Sequence, residues 1–110
     1  MNIQFKKGVL EILVLALLDE KDRYGFELVD IISKQVDISE GTIYPLLRKL
    51  YNSNYVNTYI KESNSGPPRK YYTITEEGRK VLTNLLIEWK NFTNQVDLLL
   101  GGVYEKEGIS

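Results

Sequence analysis

The spacing of apolar residues changes along the chain from helical to alternating and then back to helical. Residues 4–19 are apolar on almost every side, which predicts a helix at the centre of the fold. Residues 26–36 place aliphatic side chains at steps of four, which predicts a second helix. After a short connection, residues 39–52 are predicted to form a third helix with an apolar side.

The middle of the chain has the pattern of β-strands. Residues 55–62, YVNTYIKE, and residues 69–75, RKYYTIT, are rich in β-branched and aromatic residues at roughly alternate positions. The segment between them, SNSGPP, is a turn sequence. We therefore predict a β-hairpin with one face on the helices and the other in solvent.

The last predicted helix begins at Thr75, which can cap it, and continues with two glutamates that suit its N-terminal dipole. Its apolar residues recur at alternating steps of three and four, which is a heptad seam. The seam residues are Leu82, Leu85, Trp89, Phe92, Val96 and Leu99. Gly101 and Gly102 predict the end of this helix, followed by a loose tail.

Three helices, a hairpin and a long helix predict a mainly α fold with a small β-hairpin: a winged helix-turn-helix with a C-terminal dimerisation helix. The winged domain is assigned to residues 1–75, the dimerisation helix to 76–104 and the tail to 105–110, with the first two forming one compact unit. The alternative is a three-helix bundle that carries an unrelated hairpin.

Composition excludes several kinds of catalytic site. The 110 residues include no cysteine and no histidine, so the usual zinc sites and the Ser-His and Cys-His nucleophile systems are absent. The adjacent Glu76 and Glu77 are better explained by helix capping than by acid–base catalysis. We therefore predict no enzyme, no catalytic residue, no metal and no cofactor.

The N-terminal segment resembles a secretory signal, because Lys6 and Lys7 precede an apolar run over residues 9–18. However, Glu11 interrupts the run, no small-residue cleavage site follows, and the next residues are charged. The run is also shorter than the ~18 residues that a membrane span needs. We interpret it as a buried helix and expect no membrane association.

Charge is distributed unevenly along a chain whose net charge is −1. Residues 41–80 carry seven basic and three acidic side chains, whereas residues 1–40 carry five and eight and residues 81–110 carry two and four. A local basic patch can direct a protein to phosphates even when its total charge is near zero. The alternative is an ordinary solvated surface.

The third helix is the candidate recognition helix, because a helix-turn-helix places its second helix in the DNA major groove. Arg48 can contact a guanine edge, and the Thr42 methyl group suits contact with thymine. Gly41 allows the backbone to approach closely. The candidate DNA-contacting residues of this helix are Ser39, Gly41, Thr42, Tyr44, Pro45, Arg48 and Lys49.

Alternatives remain for several of these residues. Tyr44 can be a core aromatic with its hydroxyl at the surface, and Arg48 and Lys49 can form a solvated face. Pro45 falls in the first turn if the helix begins near Thr42, where its missing N–H costs nothing, or bends the second turn if the helix begins at Ser39.

The hairpin supplies a second candidate contact. Arg69 and Lys70 follow a turn that Pro67 and Pro68 make rigid, and such cations suit the DNA backbone or minor groove. The alternative is that these cations only keep the hairpin soluble. Of the two tyrosines that follow, one is expected to pack inward and the other to face solvent.

These motifs together resemble the PadR family of bacterial transcriptional regulators. The stretches that carry the resemblance are KGVLEILVLALL (7–18), YGFEL (24–28), SEGTIYPLLRKL (39–50), GPPRKYYTITEEG (66–78) and Trp89. The resemblance implies a winged-helix homodimer, mostly a repressor, that binds a palindromic double-stranded DNA operator through its third helix and wing. It assigns Pro68, Arg69 and Lys70 to the wing contact and places the chain in the subfamily with a short C-terminal region.

The seam of the last helix is explained by a homodimer, since an exposed apolar patch usually meets a partner. Folding back on its own core is the alternative. In some small PadR-like proteins a tryptophan at the position of Trp89 lines an interfacial pore for flat hydrophobic or aromatic effectors; the alternative is a plain packing residue. The protein is expected in the cytoplasm, associated with the nucleoid. A winged-helix protein-interaction module is the competing function.

Overall fold

The structure, a computed structural model, describes residues 3–109 and the side chains of residues 8–109. The helices are α1 (Ile3–Glu20), α2 (Gly25–Gln35), α3 (Glu40–Asn52) and α4 (Glu76–Glu107), and the strands are β1 (Arg23–Tyr24), β2 (Val56–Lys61) and β3 (Arg69–Ile74). Lys6 and Lys7 of the signal-like segment, and the chain ends at Met1, Asn2 and Ser110, lie outside the described side chains.

Helix α1 occupies the centre of the core, as its pattern predicts. Leu10, Val14, Leu15 and Leu18 are buried, and the helix contacts α2, α3, α4 and β3. Burying each leucine contributes about 2 kcal/mol to stability. Among residues 3–109, no helix combines the length and the apolar character that crossing a membrane requires.

The β-sheet has three strands rather than the two of the predicted hairpin. Its order is β1-β3-β2, and both pairs are antiparallel. Strand β1 has only two residues, with Arg23 opposite Tyr72 and Tyr24 opposite Tyr71. Two residues are too few to show an alternating pattern, so the sequence predicted only a break at this point.

Arg23 is buried between α1 and α2 and has a full set of partners. Its Nε donates to the Leu17 carbonyl oxygen at 3.1 Å, and its guanidinium pairs with Glu20 at 3.1 Å and Glu27 at 3.3 Å. A buried charge of this kind requires such pairing to be tolerated. The cluster therefore fixes the end of α1 against β1 and α2.

The start of α3 selects between the two explanations of Pro45. The helix begins at Glu40 after the N-cap residue Ser39, so Pro45 lies in the second turn. Because proline has no N–H, the Gly41 carbonyl lacks its usual partner four residues along the helix. The Ser39 side chain makes no capping hydrogen bond, and its Oγ lies 3.4 Å from Oγ1 of Thr42.

The start of α4 is fixed to the end of the turn before β2. Thr75 caps the helix as predicted, accepting from the Gly78 amide at 2.9 Å, and its hydroxyl donates to the Asn54 carbonyl oxygen at 2.7 Å. A Cβ added at Gly78 would lie 2.1 Å from the Tyr55 carbonyl oxygen. Glycine at this position therefore permits the close approach of α4 to Tyr55.

The predicted end of α4 at Gly101 and Gly102 is wrong. The helix continues through both glycines to Glu107, and the predicted tail from residue 105 is helical up to that point. A glycine inside a helix costs only about 1 kcal/mol relative to alanine, which a long helix tolerates. The helix ends instead at Gly108, whose φ of 73° gives the left-handed C-cap.

The prediction that Leu82 faces a partner also needs correction. Leu82 is only 5% exposed and belongs to the core of its own protomer, and the neighbouring Leu85 packs partly against that core. The first turns of α4 thus fold back on α1. Phe92 and Leu99, further along the seam, are exposed.

Three core helices followed by β2 and β3 form a winged helix-turn-helix, with α2 and α3 as its two helices and the β2–β3 hairpin as its wing. The alternative of a bundle with an unrelated hairpin fails because Val56, Tyr72 and Ile74 of the hairpin belong to the common core. The predicted fold class is confirmed.

Candidate nucleic-acid interface

Helix α3 separates its residues into a buried side and an exposed side. Ile43, Leu46, Leu47 and Leu50 are buried against the core. The predicted contact residues lie on the other side: Ser39, Gly41, Tyr44, Pro45, Arg48 and Lys49 are exposed and Thr42 is half-buried. Because the apolar side alone attaches the helix, its polar side is available to a ligand.

Tyr44 lies at the boundary between α3 and the start of α2. Its side chain is 37% exposed, so it is neither a core residue nor a fully solvated one. A Cβ added at Gly25 would lie 3.0 Å from Cε1 of Tyr44. Gly25 therefore lets the first turn of α2 pack against the Tyr44 ring, a contact that the sequence did not predict.

The wing presents three cations, and each lies over an aromatic ring. The Arg69 guanidinium is 4.6 Å from the centroid of Tyr24, Lys70 Nζ is 5.8 Å from that of Tyr72, and Lys61 Nζ is 5.4 Å from that of Tyr71. Such contacts stabilise a cation by about 0.5–1 kcal/mol at exposed sites and restrict its position. The turn residues Pro67 and Pro68 are exposed beside them.

Lys61 and Arg69 are direct partners in the β2–β3 register. Two like charges opposite each other destabilise an isolated hairpin. An anion that binds between them would relieve this repulsion. The arrangement is therefore more readily explained by a phosphate-binding wing than by the requirements of the hairpin itself.

A row of tyrosines crosses the outer face of the sheet. The ring of Tyr71 lies 5.6 Å from that of Tyr59, nearly parallel to it, and 5.6 Å from that of Tyr24. The Tyr59 hydroxyl donates to Oδ2 of Asp22 at 2.7 Å. This hydrogen bond, followed by partial desolvation and the Asp22 charge, raises the pKa of Tyr59.

Tyr72 is the tyrosine that packs inward, while Tyr71 faces outward. Burial is the main cause that raises the pKa of Tyr72; the nearby Tyr44 phenol adds to the effect and Arg48 partly offsets it. These influences show that the wing and the exposed side of α3 meet at Tyr72. The sequence left open which tyrosine would do so.

A second concave site lies between α1 and α4. A pocket of about 300 Å³ is lined by Gly8, Val9 and Ile12 of α1 and by Leu85, Glu88, Trp89 and Phe92 of α4. Three of the predicted effector residues, Leu85, Trp89 and Phe92, thus share one pocket, whereas Val96 and Leu99 do not line it. Glu88, which the sequence did not suggest, is its one ionisable lining residue.

Within residues 3–109, no cluster of histidine, cysteine or acidic residues has the arrangement of a metal site.

Comparison with known proteins identifies relatives along most of the chain. The model of the PadR-like transcriptional regulator family matches residues 14–84. An uncharacterised protein of Lysinibacillus sphaericus is 34% identical over 101 residues, which cover 88% of this chain and 93% of that protein.

Solved structures give the same result. A crystal structure of a PadR-like transcriptional regulator from Bacillus cereus matches with 36% identity and a TM-score of 0.80, covering 88% of this chain and 96% of that one. Bacillus subtilis PadR, solved with operator DNA, matches at 24% identity and a TM-score of 0.64, over 72% of this chain and 47% of that one; it shares the fold. Since the family match spans more than half of the sequence, the chain belongs to the PadR-like family of transcriptional regulators, which are not enzymes.

Proposed function

We propose that the protein is a sequence-specific DNA-binding repressor that binds a palindromic operator as a homodimer. The observation that carries the proposal is the junction of α3 and the wing, where Tyr44, Arg69 and Lys70 line one surface. Major-groove recognition by a helix combined with backbone contacts from a wing needs both elements on the same side of the molecule.

Within this surface, α3 reads sequence and the wing binds the backbone. Arg48 can form paired hydrogen bonds to guanine, and the Thr42 methyl can contact thymine. Lys49 and the Ser39 hydroxyl suit phosphates, while Gly41 and Pro45 shape the backbone that enters the groove. Arg69 and Lys70 bind phosphates without distinguishing sequence, and Pro68 holds them in place.

The homodimer is supported by the exposed apolar residues of α4. Phe92 is 50% exposed and Leu99 is 83% exposed, and both belong to the heptad seam. The helix extends beyond a core that is otherwise compact, giving the molecule extents of 56 × 28 × 22 Å. A twofold pair would cover this face and present two recognition helices to two half-sites.

Repression follows from the family resemblance, and release by an effector is supported by the pocket at Trp89. A cavity of about 300 Å³ with mostly apolar walls suits a small hydrophobic or aromatic molecule. Since Trp89 is the single tryptophan of the chain, binding there would change intrinsic fluorescence. Unchanged emission with a panel of flat apolar compounds would remove the effector from the proposal.

A protein-interaction module that retains the winged fold is the second candidate. The observation in its favour is Leu98, which is 85% exposed on α4 and lies outside the heptad seam. Under this alternative the wing cations serve no ligand. A mobility-shift assay on the DNA upstream of the protein's own gene, with and without excess random duplex, separates the two functions.

The test of the proposal is the double variant Arg69→Ala with Lys70→Ala. We expect binding to operator and random DNA to weaken about equally, and the slope of affinity against salt to fall by about 2. Arg48→Ala should in addition lose ~1–3 kcal/mol of discrimination at one base pair.

The matched control is Lys90→Ala with Lys106→Ala, which removes the same charge from exposed positions on α4. It should leave the salt slope unchanged. If both double variants weaken binding alike, net charge and not the wing carries the interaction, and the assigned surface is wrong.

A further inference from the structure

A cleft between α2 and the wing has no role in the contacts described so far. Strand β1 pairs with β3 only at Tyr71 and Tyr72, because the chain turns into α2 at Gly25. The first two residues of β3, Arg69 and Lys70, therefore have no neighbour on that side. The resulting gap is a cleft of about 230 Å³.

The walls of this cleft are aromatic and its charges are positive. Tyr24 and Phe26 form one side and Tyr44 and Tyr72 the other, with Arg69 and Lys70 at the wing end. No carboxylate is among its lining residues. The lack of a counter-charge makes the cleft suited to an anion, since both cations keep their hydrogen-bond donors for it.

The cations are also held in position before a ligand arrives. Arg69 lies over the ring of Tyr24, and Lys70 lies over that of Tyr72. Restricting a long side chain in advance lowers the entropy lost on binding. Phe26, although apolar, is 60% exposed at the same cleft, which suggests that its ring contacts the ligand.

We propose that this cleft holds one phosphodiester of the operator backbone together with its deoxyribose. Arg69, Lys70 and the Tyr44 hydroxyl donate to the phosphate oxygens, and the Phe26 ring packs on the sugar. Because the walls belong to both α3 and the wing, this contact sets the angle at which α3 enters the groove. The inference rests on the proposed function and assigns Tyr24, Gly25, Phe26 and Tyr72 to the binding site.

Gly25 has a defined part in this site. A side chain at residue 25 would meet the ring of Tyr44, so glycine keeps that ring in place and the cleft open. The volume fits a phosphate and one sugar and excludes stacked base pairs. The contact therefore contributes to positioning without reading sequence.

The experiment replaces single operator phosphates with uncharged methylphosphonates, one position at a time, and measures affinity at fixed ionic strength. Wild-type protein should show one position in each half-site where the replacement lowers affinity about tenfold, the effect expected for a hydrogen-bonded charge. In Lys70→Met, the same replacement should have almost no further effect.

Lys61→Met is the matched control, since Lys61 is an exposed wing lysine on the outer face that does not line the cleft. It should retain the full tenfold sensitivity at that position. Phe26→Ala should weaken binding without removing the sensitivity, because it loses the sugar contact and keeps the cations.

The outcomes separate the inference from the proposed function. If the protein prefers its operator but no position loses its sensitivity in Lys70→Met, the cleft does not hold a phosphate while the function stands. If the protein prefers no duplex over random DNA, both are overturned. Competition by millimolar thymidine 5′-monophosphate at constant ionic strength would also contradict the inference, since it would show a site for a free phosphorylated molecule.

Discussion

Single residues in this protein are explained by contacts that lie far away in sequence. Gly78 is the clearest example, because its position in the first turn of α4 suggests only a loss of helix propensity. The structure shows that the Tyr55 carbonyl oxygen occupies the space of a side chain there. Arg23 is similar, since its burial depends on Leu17, Glu20 and Glu27 being brought together by the fold.

Gly78→Ala should destabilise the protein although alanine is the better helix former. The added Cβ has no space beside Tyr55, and such overpacking costs about 1–3 kcal/mol. Gly101→Ala is the control, because nothing lies within 4 Å of a Cβ at that position; it should stabilise by up to about 1 kcal/mol. Urea unfolding measures both, and equal effects of the same sign would disprove the close approach of Tyr55.

At the scale of elements, periodic patterns predicted most of the structure. The four helices and the two strands of the wing follow from the spacing of apolar residues, and their positions agree with the prediction to within a few residues except at the end of α4. Strand β1 was missed because two residues cannot show a period, and α4 was predicted too short because glycine marks a helix end only statistically. The assignment of Leu82 failed because a heptad seam does not show where its inner partner changes from the protomer core to another surface.

The wing should depend on the hydrogen bond between Tyr59 and Asp22. This bond crosses β3 and ties β2 to the residues before β1. Tyr59→Phe keeps the stacking on Tyr71 and the charge of Asp22 but loses the bond, so operator affinity should fall by roughly two- to fivefold as the wing becomes less ordered.

Unfolding free energy should change by less than about 1 kcal/mol in Tyr59→Phe, because the bond is exposed. Tyr104→Phe, at an exposed position on α4, should change neither quantity. An unaltered affinity in Tyr59→Phe would show that the wing is ordered without this bond.

At the scale of the whole molecule, the shape is that of a compact winged domain from which α4 projects. The projecting helix exposes Leu98 and Leu99 almost completely. Only Leu99 continues the seam that begins at Leu85 and Trp89, and a neighbouring residue on a helix faces about 100° away. The proposed dimer therefore predicts different effects at two adjacent and equally exposed leucines.

Leu99→Glu should weaken self-association at least tenfold, since it places a charge in the proposed interface in both copies. Leu98→Glu should change it much less. Analytical ultracentrifugation over a range of concentrations measures this. A wild-type monomer, or equal effects of the two substitutions, would show that the seam is not the dimer interface.

The central claim is that α3 and the wing bind a palindromic operator as a twofold pair. Hydroxyl-radical footprinting on the DNA upstream of the protein's own gene, combined with the mass of the complex, tests it most directly. We predict two protected half-sites about 10 base pairs apart, centre to centre, related by a twofold axis, with two chains on each duplex. Protection without symmetry, a single chain on each duplex, or a footprint that random DNA removes would contradict the claim.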